Sequence, residues 1–346
     1  MKDFFNSLEK AMLSQRWVFD DRWSRIGNPF SWVDGSRMDG HSFLKQEYAI
    51  LQCLSMYYEE YESPEVLKKS KQHDECFNSL NETLEKVVSH FFPSLEIDKR
   101  IKNNIKCTAL ARTQDFSFNE LFLSELPNKP VHLDIGPGLG THAIYSNKIL
   151  NSSYIALEAN DYMYAVQRLI YRYLSHATNP YYDLINAETL GVSESKIKEH
   201  LSSIEKYAFF HLPSWHFSML GDKSVDLATA TFVLNEVSPA GIVWLLHNTV
   251  RCLKNGGYFY IRDSNKLKPN RHTFNYDNVL QDLGFKLVKK LDVINREDMF
   301  GIPRAYQKNE EYNLSFEDLF DQYFGRVAVT NHGGEYMQNL PKKLKA

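Results

Sequence analysis

Three glycines at alternate positions follow an acidic residue in Asp134-Ile135-Gly136-Pro137-Gly138-Leu139-Gly140. The apolar run Val131–Ile135 before them reads as a buried strand, and residues 140–150 after them read as a helix. Glycine in such a turn takes up backbone angles closed to other residues and lets a ligand lie against bare main chain at a helix N-terminus. A dinucleotide fingerprint, G-x-G-x-x-G, would put its third glycine at 141, which is Thr. A phosphate-binding loop would need Gly-Lys-Ser/Thr, which does not follow. Hydride transfer and phosphoryl transfer therefore fit poorly. Glu158 ends the run Tyr154–Leu157, 22 residues beyond Gly136, where a carboxylate can accept both hydroxyls of a ribose. A glycine turn and a strand-end acid are each common structural features. Their order and spacing within one α/β pattern turn the reading toward a nucleoside-bearing ligand.

The elements that must position these residues change style near residue 127. Before it, Phe77, Leu80, Leu84, Val87, Val88 and Phe91 trace one helical stripe, and 43–58 shows similar spacing. After it, short apolar runs alternate with helical stretches. The runs are Val131–Ile135, Tyr154–Leu157, Ala208–Leu212, Val225–Thr231, Tyr258–Ile261 and Phe285–Val288; the helices fall at 140–150, 161–175, 239–254 and 274–283. That alternation predicts a mostly parallel sheet covered on both faces. Ser238-Pro239 starts a helix with a cap and a proline at its first position, and Asn255-Gly256 ends it. The chain thus divides into a helical region over 1–126, an α/β domain over 127–310 and an extension over 311–346. Residues 176–204 form a long link, and a helix is expected around 315–324.

Composition narrows the partners. The chain has 346 residues, 43% hydrophobic and 24% charged, with a formal net charge of −3 spread evenly. It carries no basic field of the kind nucleic-acid binding needs. Cys53, Cys76, Cys107 and Cys252 are scattered, which suits reduced thiols better than a zinc site or a disulfide scaffold. The start, Met1-Lys2-Asp3-Phe4-Phe5-Asn6, lacks the apolar run of a signal peptide, and no run of about 18 apolar residues is present. The expectation is a cytoplasmic protein with no membrane span.

The residues over about 127–308 resemble the class I S-adenosylmethionine-dependent methyltransferases. Asp134 to Gly140 is similar to that family's glycine-rich first motif, and Glu158 to its ribose-binding acid. Asp226–Thr231 through Leu234-Asn235-Glu236-Val237 resembles the fourth strand and its loop, and Leu253-Lys254-Asn255-Gly256-Gly257-Tyr258 the turn into the fifth strand. The resemblance implies a Rossmann-like seven-stranded sheet, mostly parallel with the last strand antiparallel, for which Arg304–Lys308 is available. It implies S-adenosylmethionine as cofactor, bound by Asp134, Gly136, Gly138, Gly140, Glu158 and Asn235. Many members place an acid after the third strand to bind the adenine amine; here Leu212-Pro213-Ser214-Trp215 stands there, so Ser214 is expected to hydrogen-bond and Trp215 to pack on the ring. More loosely, the helical N-terminal region and overall length resemble sugar O-methyltransferases of polysaccharide and antibiotic gene clusters.

A sugar hydroxyl is barely acidic, so its methylation calls for a base or a metal. Asn235 aligns with the catalytic His of plant-type O-methyltransferases, and an amide takes no proton at neutral pH. His272 is the preferred base because its ordinary pKa lies near neutrality. Glu236 and Asp263 are the further candidates, hard oxygen ligands that suit a divalent ion beside the acceptor. Trp23, Phe30 and Trp32 near turn-rich breaks are candidates to line a sugar site, with the N-terminal region shaping that pocket or a homo-oligomer contact. Methylation of an amine or another small-molecule hydroxyl, or a non-catalytic scaffold of the same fold, are the alternatives. The adenine-N6 pattern after strand four is absent.

Overall fold

The run Val131–Ile135 forms β1, at the centre of the sheet. It pairs in parallel with β2 (Ser153–Glu158) on one side and with β5 (Val225–Thr231) on the other. The remaining strands are β3 (Tyr181–Asp183), β4 (Phe209–Pro213), β6 (Leu253–Asp263), β7 (Phe285–Lys290) and β8 (Ile302–Lys308). Their order across the sheet is β3-β4-β2-β1-β5-β6-β8-β7, and β8 runs antiparallel to both of its neighbours. The computed structural model describes residues 71–119, 124–159, 161–175, 180–184, 194–234, 239–263, 276–290 and 301–309, with the single positions 54 and 318. All seven expected strands are present. An eighth, Tyr181–Asp183, comes from within the 176–204 link and pairs with β4 at the sheet edge.

The helices are α1 (Lys71–Phe91), α2 (Lys99–Asn119), α3 (His142–Lys148), α4 (Asp161–Leu174), α5 (Glu194–Leu201), α6 (Pro239–Cys252) and α7 (Tyr276–Asp282). Because side chains alternate along a strand, each strand feeds two cores. Leu133, Ile135, Ile155, Leu157, Ala228 and Ala230 pack with α6 residues Ile242, Val243 and Leu246 on one face. Tyr154 and Ala156 point to the other face and pack with α1, α2, α3 and α4. The α1 stripe Leu80, Leu84, Val87 and Val88 is fully buried in that second core. Each such side chain is worth about 1.5–3 kcal/mol of burial, so α1 and α2 are continuous with the sheet's packing.

One turn sits differently from its sequence reading. Helix α6 ends at Cys252, and Lys254-Asn255-Gly256-Gly257 lies inside β6 as an irregularity. The register passes from Val225↔Leu253 to Leu227↔Tyr258, two residues against five, and Gly256 absorbs the excess at φ 80°. No described helix is long and apolar enough to cross a membrane. Cys76, Cys107 and Cys252 are buried.

What positions a site is the order reversal at β1. The chain moves from β1 outward to β2 on one side and later to β5 on the other, so the helices leave opposite ways and a crevice opens at the carboxyl ends of these strands. The glycine turn, Glu158 and the segment after β5 all lie there.

Candidate ligand-binding site

The turn leaving β1 is built from three left-handed residues. Gly136, Gly138 and Gly140 have φ of 60°, 57° and 73°. Two of the three are required by packing. A Cβ on Gly136 would stand 2.4 Å from Val233 Cγ2, and one on Gly140 would stand 2.6 Å from the Tyr171 hydroxyl. A Cβ on Gly138 would meet nothing within 4 Å. The middle glycine therefore faces open space while its neighbours face protein, which is the shape of a cradle for a ligand lying on the main chain. The Gly136 N–H donates to Leu157 O at 2.9 Å and so holds the turn against the end of β2.

Glu158 closes β2 and is buried. Its Oε1 accepts the N–H of Ala159 at 2.8 Å, and its Oε2 accepts Gln167 Nε2 at 2.7 Å. The same Gln167 amide donates to Gly138 O at 2.6 Å. One buried amide on α4 thus joins the glycine turn to the carboxylate. Across the β2–β4 ladder Glu158 pairs with Pro213, which places buried Ser214 one residue beyond, in a 3-10 turn over Ser214–Met219. Trp215 follows on the same turn; its side chain lies outside the described residues.

Asp134 has other company. Its Oδ1 accepts Thr229 Oγ1 at 2.7 Å, and its Oδ2 accepts Tyr154 OH at 2.6 Å and His142 Nδ1 at 3.0 Å. The other nitrogen of His142 donates to Asp115 Oδ2 at 3.1 Å. Both ring nitrogens face carboxylates, so both carry protons and His142 is an imidazolium. Burial would lower its pKa, but the Asp134 charge and the hydrogen bonds to Asp115 and Asp134 outweigh burial and raise it. Asp115, on α2, also takes Arg262 Nε at 2.5 Å, Arg262 Nη2 at 2.9 Å and Tyr260 OH at 2.6 Å. Burial would raise the Asp115 pKa; Arg262 and His142 overcome it and hold the group well below the carboxylate range. Asp134 is likewise lowered against burial, by His142, His132 and Tyr154. Arg112, one turn before Asp115, donates to the hydroxyls of Thr141 and Thr231, both at 3.1 Å.

The exit from β5 is strained. Phe232 is left-handed at φ 57°, its N–H donates to Arg262 O at 2.8 Å, and the Arg262 guanidinium lies over its ring at 4.5 Å. A non-glycine residue in this region costs about 1–3 kcal/mol and marks a place held by its surroundings. Asp263 is buried at the end of β6, and its Oδ2 accepts the Leu234 N–H at 2.9 Å. That carboxylate therefore anchors the backbone that leads into Asn235 and Glu236. Gly301, at φ 66°, packs directly on the Asp263 backbone, where a Cβ would be 2.7 Å away.

The structure brings Asp134, Gly136, Gly138, Gly140, Glu158 and Ser214 to the carboxyl ends of β1, β2 and β4, and Asp263 to the end of β6. Asn235, Glu236 and His272 lie outside the described residues, as do Trp23, Phe30 and Trp32. Among the described residues no group of three or more His, Cys, Asp or Glu side chains is placed to hold a metal ion. The residues that sequence reasoning passed over are Gln167, Arg112, Asp115, His142 and Arg262. The Arg112 and Asp115 pair, three apart on a helix, is the one with a local signal.

The donor set fits a nucleoside with a carboxylate-bound ribose. It consists of an open glycine turn at a helix start, an acid at the end of the adjacent strand and a buried Ser214 beyond it. No protein-family profile matches the chain, and no curated protein matches it. Solved structures similar to it include a SAM-dependent methyltransferase from Aquifex aeolicus, 15% identical, covering 55% of this chain and 88% of that one, with a TM-score of 0.33. The magnesium protoporphyrin IX methyltransferase of Synechocystis, solved with bound SAM, is 11% identical over 70% of this chain and 99% of that one, with a TM-score of 0.39. The 1,6-didemethyltoxoflavin-N1-methyltransferase of Burkholderia thailandensis is 14% identical over 70% and 92%, with a TM-score of 0.37.

Proposed function

We propose that the chain is an S-adenosylmethionine-dependent methyltransferase that methylates a hydroxyl of a small molecule, with a sugar or nucleotide-activated sugar as the acceptor class. The observation that carries this reading is the open position over Gly138, tied by a single buried amide to Glu158. When bound, S-adenosylmethionine supplies an electrophilic methyl carbon on a sulfonium, and transfer is an in-line displacement. Gly136, Gly138 and Gly140 give the ligand bare main chain to lie on, and Glu158 accepts from the ribose hydroxyls. Ser214, Trp215 and Asn235 complete the adenosyl contacts. Asp134 contributes by fixing the end of β1 through Thr229, Tyr154 and His142.

The chain's remaining task is to align the acceptor and take its proton. His272 is the base, and Asp263 steadies the backbone at Leu234, from which the chain continues to Asn235 and Glu236. Glu236 with Asp263 is the pair to test for a divalent ion. The sugar class rests on the resemblance of the N-terminal helical region and overall length to sugar O-methyltransferases.

Calorimetry of the full chain with S-adenosylmethionine and with NAD tests the donor. Binding of the first and silence with the second is expected, and tight NAD binding without response to S-adenosylmethionine overturns the reading. A screen of nucleotide sugars with methyl donor then tests the acceptor. On a positive substrate, His272→Ala is expected to lower turnover about 10²-fold with donor affinity kept.

A further inference from the structure

Behind Glu158 the Gln167 amide is the first of a chain of buried polar groups that leads to β3. Gln167 is fully buried, and its two amide hydrogens are both spent, on Gly138 O at 2.6 Å and on Glu158 Oε2 at 2.7 Å. Its Oε1 therefore needs a donor, and His211 Nε2 stands 2.9 Å from it. With the proton on Nε2, His211 Nδ1 is bare and accepts the Tyr181 hydroxyl at 3.1 Å. Burial, aided by the Arg168 charge, pushes the His211 pKa well down and keeps the ring neutral, which this arrangement requires. The ring itself is clamped by Tyr164, stacked at 3.5 Å and 6°. Tyr164 in turn donates to Asp183 Oδ1 at 2.9 Å. Tyr181 and Asp183 belong to β3, the added edge strand.

We propose that Gln167 is the positioning residue of the nucleoside cradle, oriented by His211 and braced by β3, and that it sets the recognition of the ribose hydroxyls. The inference deepens the proposed function and rests on it. A glutamate side chain at a strand end has several rotamers, and a glycine turn has soft dihedrals. A single amide bonded to both removes these freedoms together. The trans peptide adds a consequence. With Gly138 C=O turned toward Gln167, the N–H of Leu139 points the opposite way. The amide can do this in one orientation alone, because a flipped Gln167 would set its oxygen against both Gly138 O and Glu158. The His211 N–H supplies the bias against the flip.

The experiment is calorimetry of wild type, Gln167→Met and His211→Phe with two probes. The probes are S-adenosylhomocysteine and its counterpart lacking both ribose hydroxyls. Gln167→Met keeps the side-chain volume and removes the amide; His211→Phe keeps a ring for Tyr164 and removes the N–H. Hydrogen bonds to a charged group are worth about 1.5–3 kcal/mol. Gln167→Met is accordingly expected to weaken S-adenosylhomocysteine about 10- to 100-fold, and the dihydroxyl-free probe at least about threefold less, because only the share acting through Gly138 O reaches it. His211→Phe, acting through Gln167, is expected to give the same selectivity at about three- to tenfold, and it carries the test if Gln167→Met does not fold. Equal losses on both probes, or none on either, overturn the inference while wild-type binding leaves the proposed function standing. A wild-type protein that ignores S-adenosylhomocysteine overturns both.

Discussion

Asp134 and Glu158 lie near the carboxyl ends of neighbouring parallel strands and flank the same glycine turn, yet their immediate partners differ in kind. Around Asp134 the groups are charged: two carboxylates, an imidazolium and the guanidinium groups of Arg112 and Arg262, gathered from β1, β6, α2 and α3. Around Glu158 the nearest groups are neutral, an amide, an imidazole and two phenols from α4, β4 and β3, and the buried Arg168–Asp183 ion pair stands behind them. Buried charges are costly unless each is paired, so the first cluster is bound to the integrity of the fold. Glu158 is held by a backbone N–H and the Gln167 amide, so its orientation depends on a few neutral donors. The difference teaches where to look for structure and where for recognition. Asp134 reaches α2 through His142 and Asp115, whereas Glu158 is tied to the glycine turn through Gln167.

The most severe break of that comparison is Asp115→Ala. It removes the acceptor of Arg262, Tyr260, His142 and Arg112 at once and leaves like charges buried together. Stripping one partner from such a cluster costs about 3–5 kcal/mol, a large share of the 5–15 kcal/mol that folded domains have. Urea unfolding followed by circular dichroism is expected to show a loss of that size. A loss below about 1 kcal/mol would mean that the charged cluster does not hold α2 to the sheet.

How much of this was legible follows from sequence distance. Strands β1, β2, β4 and β5, the glycine turn and Glu158 announce themselves within windows of about ten residues, because apolar runs and glycine spacing are local. Asp115 meets Tyr260 and Arg262 across separations of 145 and 147 residues, which no periodicity encodes. On α2 it reads as one more polar helical position. Gln167 is similar: a Gln within 161–175 looks solvated until α4 lays it on Glu158. Strand β3 has three residues, too few for alternation to register. The open space at Gly138 and the filled space at Gly136 and Gly140 are also invisible, since all three are the same residue type in the same turn.

Those three glycines offer the next contrast. Gly138→Val puts a side chain where nothing now stands, with about 1–3 kcal/mol of left-handed strain. Gly136→Ala drives a methyl to within 2.4 Å of Val233 and strains the junction of β1 with the β5 exit. Donor affinity is expected to fall at least about 100-fold, some 2.7 kcal/mol, in Gly138→Val, with the protein still folded. Gly136→Ala is expected to lose more stability than Gly138→Val. Isothermal calorimetry beside thermal melts on both variants separates the two effects. Retained donor binding in Gly138→Val would move the ligand away from the turn.

The finest test uses protons, because each region holds one histidine that burial keeps neutral. His132, bridging Ser146 and Thr229 at 2.7 and 2.8 Å, is pushed down to about 3 by burial, against the pull of Asp134 and with the help of His142. His211 is also well below its usual range. An unfolded histidine titrates near 6.5. As pH falls below about 6.5 the unfolded chain therefore takes up protons that the folded chain refuses, and stability drops until the folded pKa is reached. The slope is about 1.4 kcal/mol per pH unit for each group. His142 runs the other way. Its raised folded pKa gives stability that is complete below about 6.5 and lost as pH rises through that raised value. Asp115 and Asp134, both lowered, contribute above about 3.9 and lose it only in stronger acid. Between pH 4.5 and 6 both neutral histidines steepen the slope. His132→Gln is expected to flatten it by about 1.4 kcal/mol per unit, and His211→Phe by the same amount, although one lies among charges and the other among dipoles. Unfolding curves at pH 4.5, 5.25 and 6 read this directly. An unchanged slope in His132→Gln would mean that the charged cluster lets His132 protonate, and the contrast between the two interiors would then fail at its most sensitive point.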